Sequence, residues 1–379
     1  MLNGRKLVVD SMCEVFKVLR PHIDEEFWDF SSVELCPDFI YIFGRQRFLD
    51  NISRIRELAS TGDYTLIFDN SAEGSWTAET QLSRFEIEDL VRNGDILMIT
   101  GAEISKEYAH FSYDYFLPII LDYQENVLCQ ERTPEIFSKV NKPYKFLFLN
   151  GRARPHRKYL YERLKRTGAL EQSLWTMLDS VPCVWKNYTL RENGVNVMAT
   201  STPLQRLPDR YEVSQYRDPK FESNVPGRTF LKHDLFKQEW GEIYLEPAPY
   251  IDTYFSLVTE TVCGESDYSF RTEKIAKPLA IGHPFIVAAN RGFYRDLKNL
   301  GFRTFDHVID ESFDLIDNAQ ERVDRIVQLV TDLSRQDLSQ FLEACQDNCK
   351  YNQQHLAEFS RQHKQQFPQR FSSFLLNHG

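Results

Sequence analysis

A run of charged residues opens a predicted helix in the stretch SFRTEKIAKPLAIGHPFIV, residues 269–287. Thr272 is a residue type that caps helices, which places Glu273 and Lys274 in the first turn. A lysine there opposes the helix dipole, so it favours a nearby anion such as a phosphate. Glu273 could accept two hydrogen bonds from a ribose diol, and Phe270 could cover a base. The same residues also fit a surface Glu–Lys pair on an ordinary helix.

A second cationic cluster lies in FLFLNGRARPHRKY, between a predicted strand and a predicted helix. It contains Arg152, Arg154, His156 and Arg157. Ligands of α/β sheets bind at the carboxyl ends of parallel strands, where helix starts and arginine forks suit phosphate oxygens. A solvated basic turn is the alternative interpretation of this loop.

The stretch YFSLVTETVCGESDYSFRTEKIAKPLAIGHPFIV resembles the donor-binding signature of the α1,3/α1,4-fucosyltransferases. The resemblance covers roughly residues 145–315 and does not extend to the first 140. Thr261 and Phe270 stand where the family has Asn and Tyr. It implies a GDP-sugar donor, with an arginine of the basic loop on the diphosphate. The implied and inferred donor-binding residues are Arg152, Arg154, Arg157, Glu260, Phe270, Thr272, Glu273, Lys274 and Lys277.

The predicted reaction is a metal-independent, inverting sugar transfer to a hydroxyl of a glycan or polysaccharide. The chain contains no Asp-x-Asp pair, so no metal or other cofactor is expected, and cationic side chains would neutralise the leaving diphosphate. Inversion requires a carboxylate base, which we expect in the N-terminal half. Glu73, after the strand-like TLIFD and beside Gly74, is the first choice, and Glu103 is the second. Either carboxylate could instead be a solvated loop residue.

Two rival functions remain open. His283–Pro284 resembles the His-Pro pair of some sialyltransferases, which would suit a CMP-linked acidic sugar, although a histidine before a buried strand is commonly structural. A non-catalytic carbohydrate-binding protein of the same fold is the other alternative. The fingerprints of nicotinamide dehydrogenases, P-loop NTPases and α/β-hydrolases are absent from the sequence, so those classes lose their best support.

Composition favours a soluble two-domain protein. The chain has 379 residues and a net charge of −10, which argues against a nucleic-acid partner. Seven scattered cysteines suggest free thiols in a reducing cytoplasm. The amino-terminal sequence lacks the apolar core of a signal peptide, and no apolar run is long enough to span a membrane. Peripheral association with a membrane surface is compatible with this composition.

Alternating strand-like and helix-like segments predict an α/β fold with parallel sheets. We expect two Rossmann-like domains facing across a cleft (GT-B type) with a helical tail. The acceptor-side domain is assigned to residues 1–140 and the nucleotide-sugar domain to 145–335. Residues 336–379 should form C-terminal helices packing on the first domain. We also expect a strand within FRTFDHVID, residues 302–310.

Overall fold

A computed structural model describes most of the chain. The described residues are 5–72, 82–122, 124–150, 154–177, 191–192, 195–196, 204–205, 245–264 and 268–378. Contacts between residues divide the chain into two units. Unit 1 comprises 1–118, 268–271 and 358–379, and unit 2 comprises 119–267 and 272–357. Both units are α/β and are built mainly on parallel strands, which confirms the predicted α/β fold with parallel sheets.

Unit 1 contains a six-stranded, fully parallel sheet in the order β2-β1-β3-β4-β5-β6. Its central strands are runs of apolar residues because parallel sheets are covered on both faces. The strands are β1 (Lys6–Asp10), β2 (Glu25–Phe27), β3 (Phe39–Gly44), β4 (Thr65–Asn70), β5 (Ile96–Thr100) and β6 (His110–Ser112).

Unit 2 contains a second sheet, in the order β11-β8-β7-β12-β13. As described, four strands of this sheet pair in parallel and β11 pairs antiparallel with β8. A short β9–β10 hairpin pairs separately. The strands are β7 (Tyr144–Asn150), β8 (Ser173–Met177), β9 (Arg191–Glu192), β10 (Val195–Asn196), β11 (Leu204–Gln205), β12 (Thr253–Thr259) and β13 (Phe285–Ala288).

Helices connect the strands, and a long helix, α13, ends the chain. Its last turns contribute Phe367, Phe371 and Phe374 to one core face of the unit 1 sheet. Within the described part of the chain, no helix combines the length and the apolar character needed to cross a membrane. The α-helices are α1 (Phe16–Leu19), α2 (Arg45–Asp50), α3 (Ile52–Thr61), α4 (Glu88–Asn93), α5 (Phe116–Ile119), α6 (Gln124–Gln130), α7 (Thr133–Ser138), α8 (Pro155–Arg166), α9 (Pro247–Ile251), α10 (Glu273–Ile281), α11 (Phe293–Asn299), α12 (Ala319–Ser334) and α13 (Ser339–His378).

The strand expected within residues 302–310 is not present, and that prediction was wrong. Phe302, Phe305 and Ile309 are buried, but residues 302–305 form no regular element and a turn follows at 306–308. The amides of Val308 and Ile309 both donate to the carbonyl of Phe305, which closes a turn. The apolar residues of this segment suggested a strand, but the same side chains are buried by a loop that contains a turn.

In each sheet the chain adds its second strand on one side of the first strand and its next strand on the other side. In unit 1 the chain moves from β1 to β2 on one side and then to β3 on the other, so the switch point lies between β1 and β3. The backbone of the loop after β1 occupies this position. The Asp10 carboxylate accepts hydrogen bonds from the amides of Met12 (3.1 Å) and Gly44 (3.1 Å). A Cβ on Gly44 would lie 2.8 Å from the Met12 carbonyl oxygen. Glycine at position 44 therefore allows the two backbones to approach.

We expect Gly44→Ala to lower the free energy of unfolding by about 1–3 kcal/mol, because the new methyl group meets rigid backbone atoms. The measurement is denaturant unfolding followed by circular dichroism. Gly264→Ala is the matched control, since a Cβ there would make only an ordinary contact, 3.7 Å from the Asn290 side-chain oxygen. Equal stability of the two variants would show that the loop after β1 yields without strain.

Candidate functional site

The candidate site lies at the switch point of the unit 2 sheet. The first strand of this sheet, β7, pairs with β8 on one side and with β12 on the other. The switch point therefore lies between the carboxyl ends of β7 and β12, at Asn150 and Thr259. Helix α8 follows β7 and helix α10 follows β12, so two helix starts belong to this edge of the sheet.

A buried carboxylate fixes the start of α10. Glu260 is fully buried, and its two oxygens accept from the Thr272 amide (3.2 Å) and the Thr272 hydroxyl (2.5 Å). Thr272 in turn caps the helix by accepting from the Lys274 amide at 3.3 Å, as predicted from its residue type. Burial raises the pKa of Glu260, while the charge of Lys274 acts in the opposite direction. We assign Glu260 and Thr272 to positioning rather than to direct ligand contact.

The first two turns of α10 carry one carboxylate and two lysines, all largely buried: Glu273 and Lys274 lie in the first turn and Lys277 in the second. The Lys274 ammonium lies 2.5 Å from a Glu273 oxygen and 3.3 Å from the Thr272 hydroxyl. Burial lowers the pKa of Lys274, with Glu273 partly opposing this effect. Burial also lowers the pKa of Lys277, to about 7. For Glu273 burial raises the pKa, but Lys274 and Lys277 together hold it below its usual value.

Helix α8 contributes a buried arginine and a buried histidine to the end of β12. Arg157 donates from one terminal nitrogen to the carbonyls of Thr259 (3.0 Å) and Glu260 (3.1 Å). A ring nitrogen of His156 lies 3.0 Å from the Glu260 carbonyl oxygen, and burial holds the pKa of His156 well below its usual value. Repulsion from Arg157 also contributes to the lowered pKa of Lys274.

The remaining predicted residues have different positions. Arg154 is half-buried at the N-cap of α8, and Arg152 lies outside the described residues, as does Glu73. Phe270 belongs to unit 1, where it is 4 % exposed and packs edge-on against Phe116 at 6.1 Å. A ring buried in this way supports core packing rather than the expected cover for a base. Glu103 is also in unit 1 and is exposed.

Asn150 is a residue of this edge that the sequence analysis did not single out. It ends β7 with no exposed surface, and its side-chain oxygen accepts from the Thr259 hydroxyl at 2.6 Å. The amide nitrogen is buried and has no partner. If the amide were rotated, the unmatched atom would be the oxygen instead, so one hydrogen-bonding position stays open in either orientation. A polar residue ending an apolar strand is the sequence signal that could have identified it.

The arrangement can hold an anion. Arg154, Arg157, Lys274 and Lys277 supply four cationic side chains against the carboxylates of Glu260 and Glu273, in a chain whose net charge is −10. The starts of α8 and α10 add their dipoles. Among the described residues there is no group of three or more His, Cys, Asp or Glu side chains placed to bind a metal. The site therefore offers charge and amide donors, which suit a phosphate or diphosphate.

Comparison of the chain with protein-family models, with curated proteins and with solved structures finds no match.

The buried lysine Lys277 makes stability depend on pH. Its pKa is about 7 in the folded chain and about 10.4 in the unfolded chain, so the unfolded chain binds more protons between these values. Stability should therefore rise with pH from 7 to 10, by at most about 4 kcal/mol from this group. Lys277→Met removes the contribution, which urea unfolding at several pH values can measure. Lys350 is exposed, so Lys350→Met should retain the full pH dependence of stability. If Lys277→Met shows the same pH dependence as the wild type, Lys277 is not its source.

Proposed function

We propose that the protein is a metal-independent, inverting glycosyltransferase that uses a nucleotide-sugar donor. The donor is a GDP-sugar, fucose-like by resemblance, and the acceptor is a hydroxyl of a glycan or polysaccharide. The two parallel sheets would be the two halves of a GT-B type enzyme, with the donor bound by unit 2. The cationic edge between β7 and β12 is the observation on which the proposal depends.

The cations of this edge match a leaving diphosphate. Arg157 on α8 donates to the Glu260 carbonyl, and Lys274 on α10 lies 3.3 Å from the Thr272 hydroxyl that binds the Glu260 carboxylate. Repulsion from Arg157 lowers the pKa of Lys274. Repulsion between buried cations is relieved by an anion placed next to both. A diphosphate carries that charge and gains more of it as the glycosidic bond breaks. Stabilisation of this kind acts on the transition state, so it accelerates the transfer as well as binding the donor.

Glu273 would recognise the neutral ribose of the donor. Its carboxylate pairs with Lys274 in the structure. With donor bound, Lys274 would turn to the phosphate oxygens, and Glu273 would accept hydrogen bonds from the ribose hydroxyls. Lys277, whose charge also lowers the pKa of Glu273, would then remain as the positive charge near this carboxylate.

The acceptor hydroxyl must lose a proton to a carboxylate as its oxygen bonds to the anomeric carbon. The nucleoside diphosphate leaves with the electron pair of the broken bond. Glu73 remains the proposed base, with Glu103 second. The hydrogen bond with His110 lowers the pKa of Glu103, which reduces the basicity of this carboxylate.

The CMP-sugar alternative has less support from its key residue. Both ring nitrogens of His283 are engaged, one 2.9 Å from the Ser256 hydroxyl and the other 2.9 Å from the Thr253 carbonyl oxygen. Burial lowers the pKa of His283 to about 3, so the ring stays neutral and serves packing. A non-catalytic carbohydrate-binding protein could have the same geometry in unit 2, so only a measurement of turnover distinguishes it from an enzyme.

Donor binding tests the proposal directly. We expect GDP to raise the melting temperature of the full chain, and to do so more than UDP or CMP. Lys274→Ala should weaken GDP binding about 10- to 150-fold, because a charge-assisted phosphate contact contributes about 1.5–3 kcal/mol. Isothermal titration calorimetry measures this change.

The matched control is Lys298→Ala, which removes an exposed lysine of unit 2 that pairs with Asp306 at 2.9 Å and Glu311 at 3.0 Å. It should bind GDP like the wild type. If no nucleotide shifts the melting temperature, the donor assignment is wrong. Binding without turnover on any sugar nucleotide would favour the non-catalytic alternative.

Transfer activity should persist in excess EDTA, because Arg157, Lys274 and Lys277 would carry the charge that a divalent cation supplies elsewhere. The measurement is nucleotide release from the donor with and without the chelator. Loss of activity that added Mn²⁺ restores would show that the cations of this edge do not suffice.

A further inference from the structure

A tryptophan of unit 1 is exposed at the end of a strand. Trp28 directly follows β2, and 65 % of its surface is accessible. Its indole makes no hydrogen bond or ring contact within the described part of the chain. Tryptophan is on average highly buried, because its large apolar surface is costly to hydrate. An indole exposed to this extent is therefore a candidate for contact with a ligand.

The chain that follows Trp28 is anchored in the core. Phe30 has no exposed surface, and its ring packs edge-on against Phe43 at a centroid distance of 4.7 Å. The Asp29 carboxylate accepts hydrogen bonds from the amide (3.0 Å) and the hydroxyl (2.6 Å) of Ser31, which closes the turn. A turn fixed in this way presents the indole with little freedom to lose, so the entropy cost of binding is small.

Trp28 belongs to the carboxyl edge of the six-stranded parallel sheet. Asp10 at the end of β1 lies opposite Phe27 at the end of β2, and the Ser11 amide donates to the Phe27 carbonyl at 3.1 Å. The loops after these two strands are therefore neighbours. The loop after β1 carries a second large exposed apolar side chain, Met12, which is 59 % exposed. This exposed apolar surface lies at the edge where parallel sheets bind ligands.

The other exposed side chains next to Trp28 in the chain carry carboxylates or hydroxyl groups. They are Glu25, Glu26, Asp29, Ser31 and Ser32. Asp, Glu and Ser are depleted in protein–protein interfaces, so this surface fits a protein partner poorly. The three carboxylates also disfavour an acidic ligand. A neutral sugar fits, because its hydroxyl groups can donate to carboxylates and exchange hydrogen bonds with serine hydroxyls.

We propose that Trp28 is the platform of a binding site for a neutral oligosaccharide on the surface of unit 1. The apolar face of a pyranose ring stacks on the indole, and the sugar hydroxyls bond to the carboxylates and hydroxyls beside it. An extended sugar chain lies along such a surface and does not have to enter a cavity. The site involves unit 1 alone and does not depend on the activity proposed for unit 2.

Saturation-transfer NMR on the full chain tests the site without any nucleotide. Tetrasaccharides of β-linked glucose, α-linked glucose and N-acetylglucosamine are used at about 1 mM, because ligands held by few contacts bind weakly. At least one of them should receive saturation from the protein. Trp28→Ala should weaken its binding about 10-fold or more, because the indole supplies most of the apolar contact area. Trp28→Phe keeps an aromatic ring and should weaken it less.

Leu376→Ala is the matched control, since it shortens another exposed apolar side chain of unit 1, 63 % exposed, and should bind sugar like the wild type. Circular dichroism checks that each variant is folded. Absence of transfer to all three sugars overturns the proposal, as does equal binding by the wild type and Trp28→Ala. A wild-type dimer in light scattering that Trp28→Ala dissociates would assign the indole to an interface between two copies and also overturn it. Failure of GDP to bind unit 2 leaves the sugar result unaffected.

Discussion

The rest of the cationic edge depends on the hydrogen bonds that the Glu260 carboxylate accepts from Thr272. It joins the end of β12 to the start of α10 through the amide and hydroxyl of Thr272, across 12 positions of chain. Its own backbone carbonyl accepts from Arg157 and lies beside His156, which ties α8 to the same point. Three elements therefore converge on one residue. Loss of the carboxylate would leave the amide and hydroxyl of Thr272 without an acceptor. The start of α10, which positions Lys274 and Lys277, would then be held less firmly.

The two sheets share a topology but present opposite chemistry at their carboxyl edges. In unit 1 the switch point is closed by backbone, because Asp10 and Gly44 draw the loop after β1 across it. The carboxylates there bind amides of their own chain. In unit 2 the same position is flanked by Arg157 and Lys274. The same strand order therefore carries carboxylates bound to backbone in one unit and cationic side chains in the other.

The sequence predicted what depends on local signals. The apolar runs TLIFD and FLFLN identified β4 and β7, and Thr272 identified the start of α10. The three-residue strands β2 and β6 are too short for the sequence to show a period. Contacts at the site were beyond prediction: Arg157 binds a carbonyl 102 positions away, and only the folded sheet brings them together. The open amide of Asn150 likewise became visible only when its neighbours were known.

Burial lowers the pKa values of Lys274 and Lys277 because it removes water from both ammonium groups. Lys274 also repels Lys277, while the charge of Glu273 favours the protonated form of both lysines. An anion beside them would favour the ammonium form of both lysines. If unit 2 binds the donor as proposed, binding is coupled to uptake of a proton, chiefly at Lys277, whose pKa is about 7. By linkage, donor affinity should then rise as the pH falls through this value. The burial that lowers these pKa values would in this way make the site selective for charge.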